Sequence, residues 1–330
     1  MLATAKAHTN IALIKYWGKR DEQLFLPMNS SLSLTLDKFY TTTSVQFCEE
    51  LNGDIFILNK NIASEEETMK ISNFLDKIRK RAGKQFYAIV KSDNEVPLAA
   101  GFGSSASGYA ALAAAAVKAI GLEVDIAELS RITRQGSGSA CRSILGGYVE
   151  WEKGIEADGT DSYARPLAEG QNWQISILSV LLNSESKPIS SREGMKRTVE
   201  TSPFYSCWPL EAEKDLQIAK TAISNHDFQL LGQVVEANAL KMHATTIGAN
   251  PAILYWQGGT VEVMHAVHRL RANNIPAYFT IDAGPNVMVL CQPEDEQLIL
   301  DKLLSLPAVQ KIHVCHPGPG VEYLPNTGKK

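Results

Sequence analysis

The spacing of apolar and polar positions changes character near residue 180. Before it, short runs rich in β-branched and aromatic residues read as strands: Val45–Phe47, Asp54–Leu58, Phe86–Lys91 and Tyr148–Lys153. The run from His8 to Asp21 is also strand-like and ends in a polar cluster. Between these lie two expected helices. One is Ala-rich, over Ser105–Ile120; the other spans Asp125–Thr133, with Ile126, Leu129 and Ile132 on one face and Asp125 as N-cap. Asn172–Leu182 is a long apolar strand. Beyond it the pattern predicts helices over Ser191–Thr201, Glu211–Asn225, Asp227–His243 and Val261–Asn273. Two short strands, Ala277–Ile281 and Val287–Gln292, flank a Gly284-Pro285 turn. A helix near Asp295–Leu306 and a strand at Val309–Cys315 follow. Strands and helices mix without strict βαβ alternation, which predicts an α+β fold, divided into 1–180 and 181–330.

Composition narrows the class. The 330 residues are 45% hydrophobic and 21% charged, an ordinary globular mixture. A net charge of −4 gives no broad basic surface for nucleic acid, so no nucleic-acid partner is expected. The cysteines number five, stand far apart and form no CxxC pair, so reduced thiols and a cytoplasmic location are expected. No signal-peptide run opens the sequence, and the most apolar stretch, Tyr109–Val117, is too short to span a bilayer.

Candidate chemistry gathers in a few segments. Pro97 to Gly108 contains Gly101, Gly103, Ser104, Ser105 and Ser107 directly ahead of the Ala-rich helix. Small residues there let backbone approach a ligand, and the free amides and dipole of a helix start suit a phosphate. A serine-capped tight turn is the plainer alternative. The Walker spacing is missing, and Pro97 with the polar Ser92–Glu95 separates strand from loop, which disfavours a dinucleotide site. In the run from Asn10 to Asp21, Lys15 and Lys19 offer point charges and Tyr16 a hydroxyl to a diphosphate; a solvated charged turn fits the same charges. Ser137, Gly138, Ser139, Ala140, Cys141 and Arg142 form a second small-residue loop, either a carboxylate or phosphate cradle or a flexible connection. Ser191, an N-cap candidate, and Arg192 open a helix. Asp282 stands at a strand end before Gly284-Pro285, as a turn residue or as a base or orienter. His265 and His268 lack an evident third metal ligand, and no cysteine has a base nearby in sequence.

Together with Leu26-Pro-Met-Asn29-Ser-Ser-Leu-Ser33, these segments resemble the mevalonate diphosphate decarboxylases of the GHMP kinase superfamily, in their bacterial form. The match keeps the family's order along nearly the whole chain. The Lys15–Asp21 and Gly136–Ser143 strings are its most specific parts. The resemblance implies an N-terminal ATP-binding α+β domain over 1–180 and a C-terminal ferredoxin-like α+β domain over 181–330, with the active site between. It implies ATP and Mg²⁺, mevalonate 5-diphosphate as substrate, phosphorylation of the 3-hydroxyl, loss of phosphate and CO₂ to give isopentenyl diphosphate, and a homodimer.

By position, the resemblance gives Asp282 the orienting or deprotonating of the 3-hydroxyl, Arg142 the grip on the substrate carboxylate, and Lys15 a place near the site. Substrate-binding positions are Tyr16, Trp17, Gly18, Lys19, Ser137, Gly138, Ser139, Ala140, Cys141, Ser191 and Arg192, with Lys70 added across a variable stretch. ATP-binding positions are Asn10, Gly101, Gly103, Ser104, Ser105 and Ser107, with Ser105 and Ser107 also candidates for Mg²⁺. Gly103 stands where many decarboxylases carry alanine and is the kinase-like choice, so a GHMP-type small-molecule kinase without decarboxylation is the alternative. A nicotinamide-dependent dehydrogenase and a non-catalytic nucleotide binder are more distant readings.

Overall fold

A computed structural model describes residues 1–96, 104–170, 172–182 and 189–325. The first part carries β1 (Leu2–Ile14), β2 (Lys19–Asp21), β3 (Leu26–Pro27), β4 (Ser31–Cys48), β5 (Ile55–Leu58), β6 (Asn61–Ile62), α1 (Glu65–Ala82), β7 (Tyr87–Glu95), α2 (Ser104–Ile120), α3 (Ile126–Arg134), β8 (Tyr148–Trp151) and β9 (Ala164–Pro166). The second carries β10 (Ser176–Leu181), α4 (Ser191–Thr201), α5 (Trp208–Ser224), α6 (Phe228–Ile247), α7 (Gly258–Ala272), β11 (Ala277–Ile281), β12 (Val287–Cys291), α8 (Glu296–Leu304), β13 (Lys311–Cys315) and β14 (Glu322–Leu324). Among the described residues no helix is long and apolar enough to cross a membrane.

The large sheet runs β14-β1-β4-β7-β5-β6, with β8 and β9 continuing from β4. Its spine is the antiparallel pair β1–β4, running from Leu2↔Gln46 to Ile14↔Leu32 with register shifts between His8 and Asn10 and between Ala12 and Ile14. Helix α2 lies on this pair. Its near-continuous alanines, Ala110–Ala111 and Ala113–Ala116, are fully buried and let the helix approach the strands closely. The small sheet is antiparallel throughout, in the order β11-β12-β10-β13. Strand, helices, two strands, helix and strand in that order make a ferredoxin-like βαββαβ unit with extra helices in its first crossover. The fold is thus the expected α+β.

Helices α5 and α6 fill the space between the two sheets. One apolar cluster joins Ile11, Leu13, Leu32 and Leu34 of the large sheet to Leu216, Leu231 and Val235 of the helices and Met288 and Leu290 of the small sheet. The two parts therefore share a core.

Several elements depart from the sequence expectation. Helix α1 was not anticipated, although its signals are present. Ser64 and Glu67 form a capping box, Gly83 closes the helix with φ 63°, and Phe74, Leu75 and Ile78 make a narrow buried stripe. Strands β1 and β4 run much longer than their apolar runs suggest, because alanine and threonine carry them. Strand β10 begins at Ser176 rather than Asn172, and α5 begins at Trp208. Asp125 does cap α3, accepting from the Glu128 amide at 2.7 Å. Helix α4, however, is capped by Ser190, whose hydroxyl accepts from the Glu193 amide at 3.1 Å; Ser191 is the first helical residue.

Beyond β1 the chain leaves the sheet, and side chains hold the backbone at Lys15 and Trp17, before the Gly18 carbonyl accepts from the Met28 amide at 3.1 Å. The Lys15 amide donates to Asn238 Oδ1 at 2.8 Å, and Asn29 Nδ2 donates to the Lys15 carbonyl at 2.8 Å. The Trp17 carbonyl accepts from the Tyr205 hydroxyl and from Trp208 Nε1, each at 3.0 Å. Gly18 has φ 102°, and a Cβ there would lie 1.7 Å from the Tyr205 hydroxyl, so only glycine fits. Asn238 is held in turn: its Nδ2 donates to Asp215 at 2.9 Å, and Lys241 donates to both oxygens of that carboxylate, at 2.7 and 3.0 Å.

Asn238→Ala strands one buried polar group, the Lys15 amide; both Asp215 oxygens keep Lys241. A loss of about 1–3 kcal/mol is expected, the range for one buried group left unsatisfied. Urea unfolding should show a lower midpoint at unchanged slope; a shift worth under about 0.5 kcal/mol would contradict this role for Asn238.

Candidate active site

A cavity of about 520 Å³ opens where β1 leaves the sheet, bounded by α2, the 136–139 loop, the start of α4 and the turn after β11. At its floor Lys15 and Asp282 meet. Lys15 Nζ donates to Asp282 Oδ1 at 2.6 Å and to the Ala12 carbonyl at 2.9 Å. The Lys15 side chain is 2% exposed, whereas that of Asp282 is 39% exposed, so the carboxylate faces the cavity and the ammonium lies behind it. Burial pulls the Lys15 pKa below its ordinary value, and the Asp282 charge opposes that pull.

Behind the turn lies His243, on α6, packed against Tyr255 and Trp256. Its Nε2 is 3.3 Å from the Ile281 carbonyl. A carbonyl only accepts, so this contact calls for the Nε2–H tautomer. Burial first, and the Lys15 charge second, lower its pKa to about 3, so the ring is neutral.

Arg142 forms the opposite wall. It is buried, with Nη1 donating to Ser31 Oγ at 2.6 Å and Nη2 to Asn10 Oδ1 at 3.2 Å. Burial lowers its pKa. Among the described residues, its hydrogen bonds go to neutral oxygens alone and its Nε has no partner. A buried guanidinium so placed still needs an anion. The Tyr16 hydroxyl is likewise buried and without a partner among the described residues, and burial keeps it protonated. Gly138 packs under the Tyr16 ring; a Cβ there would lie 2.8 Å from it.

Most of the sequence-predicted residues come together here. Asn10, Lys15, Tyr16, Trp17, Lys19 and Asp282 line the cavity, as do Ser137, Gly138, Ser139 and Arg142, Ser191 and Arg192, and Ser104 and Ser105. Asn10 is largely committed to the wall: besides accepting from Arg142, its Nδ2 donates to the Ser139 carbonyl and to Ser143 Oγ. Gly101 and Gly103 lie outside the described residues.

Others are not brought to the cavity. Gly18 packs under Tyr205, and Ala140 and Cys141 are buried in the wall, where burial pushes the thiol up to about 12. Ser107 turns inward: it is fully buried and shares a hydrogen bond with Thr41 Oγ1 at 2.8 Å, so it is poorly placed for phosphate or Mg²⁺. Lys70 stands outside on α1, paired with Glu66 at 2.6 Å and 60% exposed, although the Tyr109 ring of the cavity is within its electrostatic reach. His265 and His268 are remote, and His268 lies 3.3 Å from Glu236.

Sequence reasoning missed Phe25, Tyr109, Met195, Met242 and Ala283, which also line the cavity. Tyr109 had a visible signal, about one turn into the helix that follows the Gly/Ser-rich segment. Phe25 and the two methionines had none.

The comparisons agree with one another. Residues 7–164 match the family model for the diphosphomevalonate decarboxylase-like N-terminal domain, and residues 177–319 that for the mevalonate 5-diphosphate decarboxylase C-terminal domain. The diphosphomevalonate decarboxylase of Rattus norvegicus is 37% identical over 312 residues, which is 88% of this chain and 76% of that protein. The crystal structure of mevalonate diphosphate decarboxylase from Staphylococcus aureus superposes with a TM-score of 0.93 at 47% identity, covering 98% of each chain. A structure described as MDDEF in complex with MVAPP, AMPPCP and magnesium gives 0.92 at 48% identity, covering 98% of this chain and 99% of that one.

His243 generates a pH prediction. Its folded pKa, about 3, lies below the ordinary value of 6.5, so below pH 6.5 the unfolded chain binds the proton more readily. The stability it contributes is complete above pH 6.5 and falls as pH drops toward 3, by up to about 1.4 kcal/mol per pH unit. Urea midpoints between pH 4 and 7 should fall more steeply for the parent than for His243→Gln; parallel profiles would contradict the neutral buried ring.

Proposed function

The chain belongs to the diphosphomevalonate decarboxylase family, and from that membership we propose that it converts mevalonate 5-diphosphate and ATP to isopentenyl diphosphate, ADP, phosphate and CO₂. The observation that carries this reading is Arg142, a buried cation without a carboxylate partner among the described residues, on the cavity that also holds the Lys15–Asp282 pair. A substrate carboxylate supplies the missing anion. The substrate's 3-hydroxyl would then sit at Asp282.

The chemistry divides into two steps. The 3-hydroxyl oxygen takes the γ-phosphoryl group of ATP, ADP leaves, and Asp282 orients that hydroxyl and accepts its proton. Phosphoryl transfer is loose, so positioning carries much of the catalysis. The C3–O bond then breaks and phosphate leaves with the electron pair. The bond to the carboxylate breaks, its electrons form the carbon–carbon double bond, and CO₂ departs. Lys15 holds the Asp282 carboxylate in place with its free face toward the cavity. The cationic Lys19 and Arg192 and the hydroxyls of Tyr16, Ser137, Ser139 and Ser191 are the diphosphate and carboxylate contacts in this reading.

Nucleotide fits the other end. Helix α2 has 17 residues and no acid in its first turn, and Ser104 and Ser105 reach the cavity at its start. Among the described residues no three His, Cys, Asp or Glu side chains gather as a metal site. Mg²⁺ therefore fits as an ion carried on the nucleotide phosphates, with Ser105 as the nearest protein oxygen in this proposal; there it would neutralise phosphate charge. Residues 1–180 would carry the nucleotide and 181–330 would contribute Asp282 and α4. A cytoplasmic homodimer belongs to the same proposal, its stoichiometry to be read by light scattering.

The test uses mevalonate 5-diphosphate labelled at the carboxyl carbon, with Mg-ATP. Equal ADP and CO₂ are expected. ADP without CO₂ would make the protein a kinase, as Gly103 alone suggests. Asp282→Ala should lose about 10²–10⁴-fold in turnover with nucleotide binding retained; near-parental turnover would remove Asp282 from the chemistry.

A further inference from the structure

Three cations from three separate elements converge on one ring at the mouth of the cavity. Phe25 sits in the turn between β2 and β3 with φ 57°, a left-handed conformation that a bulky side chain adopts only when its surroundings hold it there. Lys19 Nζ, from β2, lies 4.5 Å from the ring centroid. The Arg192 guanidinium, from the first turn of α4, lies 5.1 Å away, and Lys77 Nζ, from α1, 5.5 Å away. Lys19 has a counter-charge in Glu22. Among the described residues neither Lys77 nor Arg192 pairs with a carboxylate; Lys77 donates instead to the Gln135 carbonyl at 3.1 Å. Two uncompensated cations beside a third repel one another. The ring's negative face offsets part of that repulsion but supplies no net charge.

We propose that Phe25 is a positioning residue that gathers Lys19, Lys77 and Arg192 into one anion-binding mouth, and that Lys77 is thereby a further cation for the diphosphate end of the substrate. The identity of the anion rests on the function proposed above. A diphosphate suits the mouth: cations approaching one ring from three directions can each find an oxygen on an anion whose charge is spread over two phosphoryl groups. Lys77 is half-buried, and burial, with the charges of Arg81 and Arg192, lowers its pKa, as expected of a cation held among cations. The ring edges the cavity itself, so an anion held by these three groups stays in contact with the chamber that contains Asp282.

The test measures binding of inorganic pyrophosphate to the full-length chain by calorimetry, alongside the KM for mevalonate 5-diphosphate. Phe25→Leu should weaken pyrophosphate binding by about 5- to 30-fold and raise KM in parallel, with a much smaller fall in kcat, as loss of one or more cation–ring contacts implies. Phe25→Tyr keeps the ring and should restore binding. Lys77→Met should weaken binding by itself, and the double variant Phe25→Leu/Lys77→Met should lose less than the product of the two single effects. Should Phe25→Leu fail to fold, Lys77→Met at its half-exposed helical position carries the same test. Pyrophosphate affinity within twofold of the parent in Phe25→Leu or Lys77→Met, or equal losses in Phe25→Leu and Phe25→Tyr, would overturn the proposal. The two readings separate cleanly: a parent that releases CO₂ while the variants keep their KM loses only the role of Phe25 and Lys77. A parent whose pyrophosphate binding depends on both residues but that releases no CO₂ keeps the anion mouth and loses the decarboxylase.

Discussion

The contact between Lys15 and Asp282 joins the end of the large sheet to the turn after β11 of the small one, and the arrangement of the site follows from it. An ammonium buried to this degree is costly without a partner, and breaking such a pair leaves an uncompensated charge inside the protein. The two sheets must therefore meet in the register that brings these side chains together. Asn238 and Asn29 hold the backbone of Lys15 from both sides, and His243 sits under the Ile281 carbonyl on the other strand. Each half of the pair is thus fixed from behind, and the carboxylate keeps its exposed face for a ligand.

The charges around the cavity form a gradient of compensation. Lys15 is matched by Asp282 and Lys19 by Glu22, whereas Arg142, Lys77 and Arg192 have no ion-pair partner among the described residues. The unmatched cations sit where anions of the substrate would lie, one deep and two at the mouth. Folding leaves a positive excess in a chain whose overall charge is −4. In the proposed reading the substrate would complete a balance that the protein leaves open, which would tie affinity to the same desolvation.

Much of this was legible in the residues. Strings that keep backbone close to ligand, such as Gly136–Ser143, carry their chemistry in small side chains, and the structure does assemble them around one chamber. The predicted residues that stand off the cavity share a physical cause. Ser107 and Ser105 look alike in sequence, but a helix presents them to opposite sides, and Ser107 faces Thr41. Lys70 lies on the outer face of a helix that the apolar pattern did not reveal, because only Phe74, Leu75 and Ile78 mark its buried stripe. Phe25, Asn238 and His243 act through contacts with residues far along the chain, and no local spacing announces such contacts. The division of the sequence near residue 180 likewise hides the helices α5 and α6, whose apolar faces serve both sheets at once.

Strand β14 adds a temporal constraint. It pairs with β1 at Thr4↔Leu324, Ala5↔Tyr323 and Lys6↔Glu322, so β1 is flanked on one side by a segment far along the chain. Until β14 docks, β1 has β4 on one side and an open edge on the other, a template for pairing with another chain. Contacts of such sequence separation also slow the final folding step. The interval before β14 docks is therefore the one in which β1 is most open to pairing with another chain.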